Sequence, residues 1–178
     1  SLVGLPDSAA TAASLDRFEA VFARGTRCGR VAVSLESMTM IAALFDAPEH
    51  IDDFCKRTKL SNKERRLGKF ILARRADAES SVEDAKYWRD MVMTMQWSSS
   101  CNGHRKERKL RKCLQLAISV GAPYEIIELI KELFNSSDVL RDLMAKGVAG
   151  VPISKKTKKL LIERYVESPF SLSKEELL

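Results

Sequence analysis

Apolar side chains recur at intervals of three and four residues through most of this chain, and this helical spacing is the feature that most constrains its fold. The apolar–polar alternation typical of a strand never lasts beyond a few residues. Residues 61–64, Ser-Asn-Lys-Glu, form a capping box, in which the Ser hydroxyl and the Glu carboxylate bond unpaired backbone N–H groups at a helix start. The sequence predicts an all-α protein, an irregular bundle of about nine or ten short helices arranged as a body and a tail.

Helix boundaries follow from the capping and turn-forming residues. Ser14 is the predicted N-cap of the first helix, which is expected to bury Leu15, Phe18, Val21 and Phe22 before a loop at Gly25 and Gly29. Pro48 is expected at the first turn of a helix that ends near Thr58, and Gly121 is expected to stop another. The remaining helices are predicted over residues 38–45, 61–75, 82–96, 105–120 and 124–134, after Ser136 or Ser137, over 154–166, and from Ser173.

Segment 98–104 is rich in small polar residues and is the clearest linker. It divides a body subdomain, residues 1–97, from body-to-tail helices, residues 105–145, which precede a tail, residues 146–178. The helix over 61–75 is expected to bury Phe70. Tyr87, Trp88 and Tyr124 also fall at apolar helical spacing, so we expect them in the core rather than as platforms on which bases stack.

The sequence contains no set of residues typical of a catalytic site. GxGxxG, GxxxxGK[ST] and GxSxG motifs do not occur in it. Cys101, His104 and Cys113 resemble part of a zinc site without the fourth ligand that a structural site requires, and His50 is expected at the surface. The acid pairs at 52–53, 83–84 and 175–176 are interpreted as charges near helix starts, where the helix dipole favours them. We therefore assign no catalytic, cofactor-binding or metal-binding residue.

Basic residues exceed acidic ones, 30 to 24, which gives a net charge of +6 and suits a polyanionic partner without proving one. They concentrate in residues 56–75, 105–112 and 155–159. Lysines at the start of the helix after Ser154 oppose its dipole by about 0.3–1 kcal/mol each, and a bound phosphate would reverse this cost. The candidate RNA-binding residues are Lys155, Lys156, Lys158, Lys159, Arg105, Lys106, Arg108 and Lys109.

A solvated lysine-rich helix face is the alternative interpretation of these clusters, and the bases of residues 56–75 are interpreted as the polar faces of two helices. The four cysteines show no paired short spacing, and the sequence has neither a signal peptide nor an apolar run of about 20 residues. We therefore expect a soluble protein of a reducing intracellular compartment, without a membrane partner. The chain opens with Ser1 rather than Met, which hints at a piece of something larger.

Five segments, in the same order, resemble the C-terminal body and tail of eukaryotic CCA-adding tRNA nucleotidyltransferases, the class II, poly(A) polymerase-like family. GLP at 4–6 with SLDRF at 14–18 is similar to the family's IGLP and SLEEF-like helix, and MTMIAALF at 38–45 to its TLL-x-SLF segment. KLSNKERRLGKFI at 59–71 is similar to LKIS-KEE-NLG-FI, and the end resembles the tail from KGV at 146–148 to SKEELL at 173–178.

The likeness covers nearly the whole chain from Gly4 but is weaker over residues 76–134. It departs at residues 150–154, where a GISSG-like turn of the family is replaced by GVPIS followed by lysines. In a protein of this family, the lysines would replace backbone contacts to tRNA with charge.

The resemblance implies that catalysis belongs to a missing N-terminal half, the head and neck, with an Asp-x-Asp metal pair and a Glu-Asp-x-x-Arg template that use Mg²⁺, ATP and CTP. Neither pattern occurs here. The fragment itself would then be no enzyme and would need no cofactor. Its expected partners are tRNA, whose acceptor arm and elbow it positions, and the head and neck of the same polypeptide; a homodimer is left open. The parent would be mitochondrial, cytoplasmic or nuclear. The alternative is an all-helical protein-interaction scaffold without RNA affinity.

Overall fold

The computed structural model of this protein describes residues 11–28, 34–97 and 103–134. Across these residues the chain forms seven helices and no strand, which confirms the all-α prediction. The predicted total of nine or ten stays a prediction, because the helices expected after Ser136, over 154–166 and from Ser173 lie outside the described residues. The helices are α1 (Ala12–Cys28), α2 (Ser37–Ala43), α3 (Pro48–Thr58), α4 (Asn62–Ser80), α5 (Ala85–Trp97), α6 (Gly103–Val120) and α7 (124–134).

The chain divides into two compact units, residues 1–84 with 111–127 and residues 85–110 with 128–178. In the first unit, α4 packs against α2 and α3, and α2 also packs against α1. Met38, Phe45, Ile51 and Ile71 are almost fully buried there. The subdomain borders expected from the sequence stay predictions.

The second unit buries its own set of large side chains. Trp88 of α5 is fully buried, as predicted, and the ring of the partly exposed Tyr87 meets it edge-on with the ring centroids 5.4 Å apart. Ile130, Leu133 and Phe134 of α7 are also fully buried. The geometry of the Tyr–Trp pair is one that aromatic quadrupoles favour.

Two helix starts follow the prediction from sequence. At α4, the Glu64 backbone N–H donates to Ser61 Oγ over 3.3 Å, and the Ser61 N–H donates to Glu64 Oε2 over 2.9 Å, which completes the capping box. At α3, Pro48 occupies the first turn and the helix ends at Thr58. A proline suits this position because its missing N–H would have no helical partner there.

Gly121 ends α6, as predicted. Its φ of 79° lies in the left-handed region, where a side chain would be strained. Its N–H donates to the Ile118 carbonyl over 3.2 Å, and the Ala122 N–H donates to the Ala117 carbonyl over 2.9 Å. These two bonds form a Schellman motif and satisfy carbonyls that the helix end leaves open.

The start of α1 differs from the prediction. Thr11, not Ser14, caps this helix, because the Ser14 backbone N–H donates to Thr11 Oγ1 over 3.2 Å. Ser14 lies within α1 and is buried, with its hydroxyl donating to the Thr11 carbonyl over 2.8 Å. The loop predicted at Gly25 is wrong as well, since α1 continues through it to Cys28. Gly29 lies outside the described residues.

Three apolar side chains predicted to be buried are exposed instead. Leu15 and Phe22 of α1 are 49% and 53% exposed, and Tyr124 of α7 is 57% exposed. On α1 only Val21 of the predicted apolar face is fully inside, and Phe18 is partly buried. Helical spacing alone therefore overestimates the width of the face that α1 buries.

Candidate nucleic-acid interface

One face of α4 carries basic side chains on both sides of a partly exposed phenylalanine. Lys63, Arg66, Phe70 and Arg74 are separated by three, four and four residues, so their side chains lie in one row along the helix. Lys112 of α6 places its Nζ 5.5 Å from the Phe70 ring centroid. We call these five residues the basic stripe.

The three α4 cations of the basic stripe have no competing partner. Lys63, Arg66 and Arg74 are exposed, and within the described part of the chain none of them forms an ion pair or side-chain hydrogen bond. Phe70 is half-buried beside them, whereas the sequence predicted it as core. The ammonium of Lys112 is within the range of a cation–π contact with this ring. The stripe thus combines exposed positive charge with a partly accessible aromatic ring.

The buried side of α4, next to the basic stripe, fixes the direction in which the stripe points. Leu67 and Ile71 are almost fully buried there. Gly68 is buried as well, and a Cβ at this position would lie 3.0 Å from both Ile51 Cδ1 and Met38 Sδ. Because α4 approaches α2 and α3 this closely, it cannot rotate without breaking the core, and the stripe is held outward.

Two further bases of α4 are neutralised by one carboxylate of α3. Arg65 Nε lies 2.7 Å from Asp52 Oδ1, and Lys69 Nζ lies 2.8 Å from Asp52 Oδ2. These hydrogen bonds lower the pKa of Asp52 from 3.8 to about 2. Asp52 is therefore an interhelix bridge in the interior of α3, and its interpretation as charge near a helix start was wrong. The neighbouring Asp53 pairs with Lys56 over 3.0 Å.

The Asp52 bridge predicts a specific pH dependence. The pKa of Asp52 is lower in the folded state than its ordinary value, so its stabilising effect is complete above about pH 4 and disappears as the pH falls toward 2. In Asp52→Asn, the free energy of unfolding should be lower at pH 7 and should change less than wild type between pH 4 and 2. Urea unfolding followed by circular dichroism at several pH values measures both. Parallel pH curves for the two proteins would contradict the bridge.

The structure does not test whether the residues predicted from the sequence bind RNA. Arg108 is exposed and Lys109 is half-buried on α6, as surface cations would be. For Arg105 and Lys106 the structure describes only the backbone, which is helical, and Lys155, Lys156, Lys158 and Lys159 lie outside the described residues. All eight stay predictions. The basic stripe was not predicted from the sequence. The 3-4-4 spacing of its α4 residues is the sequence pattern that indicates it.

No arrangement of metal ligands is present among the described residues. Cys113, which the sequence suggested as part of an incomplete zinc site, is fully buried, and this burial raises the pKa of its thiol to about 12 despite the nearby charges of Lys112 and Arg74. A protonated thiol is a poor zinc ligand. Cys101 lies outside the described residues, and His104 is described only in its helical backbone.

Among the described helices, none combines the length and apolar character that crossing a bilayer requires. Neither a protein-family model nor a curated protein matches this chain. The similarity to CCA-adding enzymes thus depends on the five sequence segments alone.

Proposed function

We propose that this chain is an RNA-binding helical module whose basic stripe contacts a phosphate backbone. The observation that carries the proposal is the row of three exposed, unpaired cations around Phe70 on a helix fixed by its buried face. Neutralising phosphates with lysine and arginine releases condensed counterions, and this release supplies most of the sequence-independent affinity for nucleic acid. The stripe has the residue types that this mode of binding uses.

The dimensions of the basic stripe suit a backbone contact. Eleven residues separate Lys63 from Arg74, which at a rise of 1.5 Å per residue is roughly 16 Å along the helix axis. Arginine also offers a planar fork of donors that matches a phosphate group. Such contacts position a nucleic acid without reading its sequence, which suits a folded RNA recognised by its shape.

The substrate class comes from the sequence resemblance. We propose that the RNA is tRNA and that the chain is the tRNA-anchoring half of a CCA-adding nucleotidyltransferase. In this proposal it holds the acceptor arm and elbow while a head and neck outside this chain bind Mg²⁺, ATP and CTP and extend the 3′ end. The contribution of this half is positioning, which lowers the entropic cost of the reaction. Mitochondria, cytoplasm and nucleus are the compartments in which such a parent would work, and a homodimer remains compatible with it.

The salt dependence of tRNA binding tests this proposal. The triple variant Lys63→Gln, Arg66→Gln, Arg74→Gln should weaken binding, and its slope of log affinity against log salt should be shallower by about three, because each lost phosphate contact removes about one unit. Fluorescence anisotropy with labelled tRNA at several salt concentrations measures the slope.

A matched control removes the same charge from cations that already have partners. Lys56→Gln, Arg65→Gln, Lys69→Gln changes three bases of α3 and α4 that pair with Asp53 or Asp52. It should change the slope by less than half as much as the stripe variant. Equal effects of the two triple variants would mean that only net charge matters, and the stripe would lose its role.

The alternative function, a protein-interaction scaffold without RNA affinity, is favoured by one observation. Leu15 and Phe22 are seven residues apart on α1, so they expose apolar surface on one side of that helix. A wild-type chain that binds no tRNA at any salt concentration would exclude the RNA-binding proposal and leave the scaffold.

A further inference from the structure

A cavity of about 220 Å³ lies within the first unit and is lined by three arginine side chains. Arg17 and Arg24 extend into it from α1, and Arg75 extends from α4. Glu79 provides the one carboxylate of the lining, whose other side chains are mostly small or apolar. Three guanidinium groups around one small space are an unusual concentration of positive charge, because like charges repel strongly where water is restricted.

The guanidinium groups are held in place by backbone carbonyls. Arg75 Nη1 donates to the Phe45 carbonyl over 2.9 Å, and its Nη2 donates to the Ala42 carbonyl. Arg17 Nε donates to the Ala43 carbonyl over 3.0 Å. All three acceptors belong to the C-terminal end of α2 or the turn after it, where helical carbonyls have no helical partner. The end of α2 thus orients two of the three positive groups before any ligand arrives.

Arg24 is anchored in the same way at the end of α6. Its Nη1 donates to the Ser119 carbonyl over 2.7 Å. Its guanidinium also lies against Gly121, where a Cβ would be 2.8 Å from Arg24 Cζ. Gly121 therefore serves two purposes, since its positive φ ends the helix and its missing side chain leaves room for Arg24.

The carboxylates nearby neutralise this charge only in part. Asp46 pairs with Arg17, but neither Arg24 nor Arg75 bonds a carboxylate, and Glu79 forms no ion pair within the described residues. Desolvation lowers the pKa of Arg75 and the charge of Arg17 lowers it further, while the carboxylates of Glu79 and Asp46 raise it. Three guanidinium groups thus share two carboxylates, so this partly buried cluster keeps a net positive charge that a bound anion would offset.

We propose that this cavity binds a small oxyanion of the phosphate type. The forked donors of arginine match a tetrahedral oxyanion, and their attachment to carbonyls keeps them arranged for it. A volume of about 220 Å³ is many times what a single water requires. A phosphate group with a short substituent fits this space, whereas a nucleotide chain does not. The phosphate belongs either to a small free compound or to the terminal phosphate of an RNA whose chain stays outside the cavity, and competition distinguishes the two sources.

Inorganic phosphate is the probe, titrated calorimetrically into the full chain at constant ionic strength with chloride as the balancing ion. Glu79→Gln removes the one carboxylate of the lining from an exposed position, so the fold should tolerate it. This variant should bind phosphate more tightly by about fivefold or more, as expected when a like charge next to an anion is removed. Arg24→Gln should bind it about tenfold more weakly, as expected for the loss of a charged hydrogen bond.

Unchanged phosphate affinity in Glu79→Gln would overturn the proposal, as would phosphate binding that chloride abolishes at equal ionic strength. Tighter phosphate binding by Glu79→Gln cannot be explained by misfolding, because a gain of affinity requires an intact cavity. Competition identifies the source: tRNA that displaces phosphate indicates an RNA phosphate, and simultaneous binding of both indicates a free small anion. Substituting Lys63, Arg66 and Arg74 should leave phosphate affinity unchanged, so this site and the basic stripe can fail independently.

Discussion

Replacing Gln115 by leucine should lower the free energy of unfolding by about 2–4 kcal/mol, although leucine has nearly the same volume. Gln115 is fully buried on α6. Its Oε1 accepts from the Glu36 backbone N–H over 3.0 Å and from Thr39 Oγ1 over 2.5 Å, and its Nε2 donates to the Ser34 carbonyl over 2.8 Å. Leucine would leave all three groups without this partner, and a buried unsatisfied group costs about 1–3 kcal/mol. Urea unfolding at pH 7 measures the loss.

A double-mutant cycle with Thr39→Val identifies the hydrogen bond as the cause. Thr39 is fully buried as well, and Thr39→Val removes the hydroxyl that Gln115→Leu would leave without a hydrogen-bond partner. The double variant should be more stable than the sum of the single effects predicts, by about 1 kcal/mol, because contacting partners do not contribute additively. Additive effects, or a loss below about 1 kcal/mol for Gln115→Leu alone, would show that water replaces the missing bonds.

The role of Gln115 also shows where the sequence stops being informative. Its acceptor bond to the Glu36 N–H joins residues 79 positions apart, and no local pattern encodes such a pair. Among the apolar residues at helical spacing on α6, Cys113, Leu114, Ala117 and Ile118 are buried and Leu110 is half-buried. A glutamine among them would be placed on the solvent face by its residue type alone, since a buried polar group requires a specific partner.

Features governed by neighbouring residues were predicted well. The capping box at Ser61, Pro48 in the first turn of α3 and the stop at Gly121 each depend on a few consecutive residues, and all three are confirmed. Ser14 failed for the same local reason, because Thr11 three residues earlier competes for the same helix start and has the hydroxyl in position. Capping preferences rank residue types, but they do not decide between two suitable residues that lie within one helical turn of each other.

The candidate site was harder to predict because its charges are sorted by tertiary contacts. Arg65 and Arg66 are adjacent in sequence, yet Arg65 bonds Asp52 of α3 while Arg66 projects outward with no such partner. Both side chains are exposed, and only the packing of α3 against α4 gives a carboxylate partner to one and not to the other. Arg75 is a second case. Its residue type suggests a solvated surface charge, whereas its guanidinium bonds carbonyls at the end of α2.

Gly25 provides the second large effect, because replacing it by valine should destabilise the fold by about 2–3 kcal/mol or more. Glycine within a helix normally costs about 1 kcal/mol relative to alanine, so a substitution in α1 would ordinarily be favourable. Gly25 is buried, however, and a Cβ built there lies 2.3 Å from Leu35 Cδ2 and 2.9 Å from Leu35 Cβ. The second contact is close to the backbone, so a change of the Leu35 rotamer cannot relieve it.

The same contact predicts a reversal of sign. Gly25→Ala should lower the free energy of unfolding in the wild-type background, because the clash exceeds the gain in helix propensity. In a Leu35→Gly background both the Cδ2 and the Cβ contacts disappear, and Gly25→Ala should become neutral or stabilising. Thermal and urea unfolding of the four proteins measures both signs. A Gly25→Ala variant more stable than wild type would mean that Leu35 does not approach α1 as closely as described. If the sign reverses as predicted, Leu35, which lies ten positions later and beyond the end of α1, is the residue that prevents any side chain at position 25.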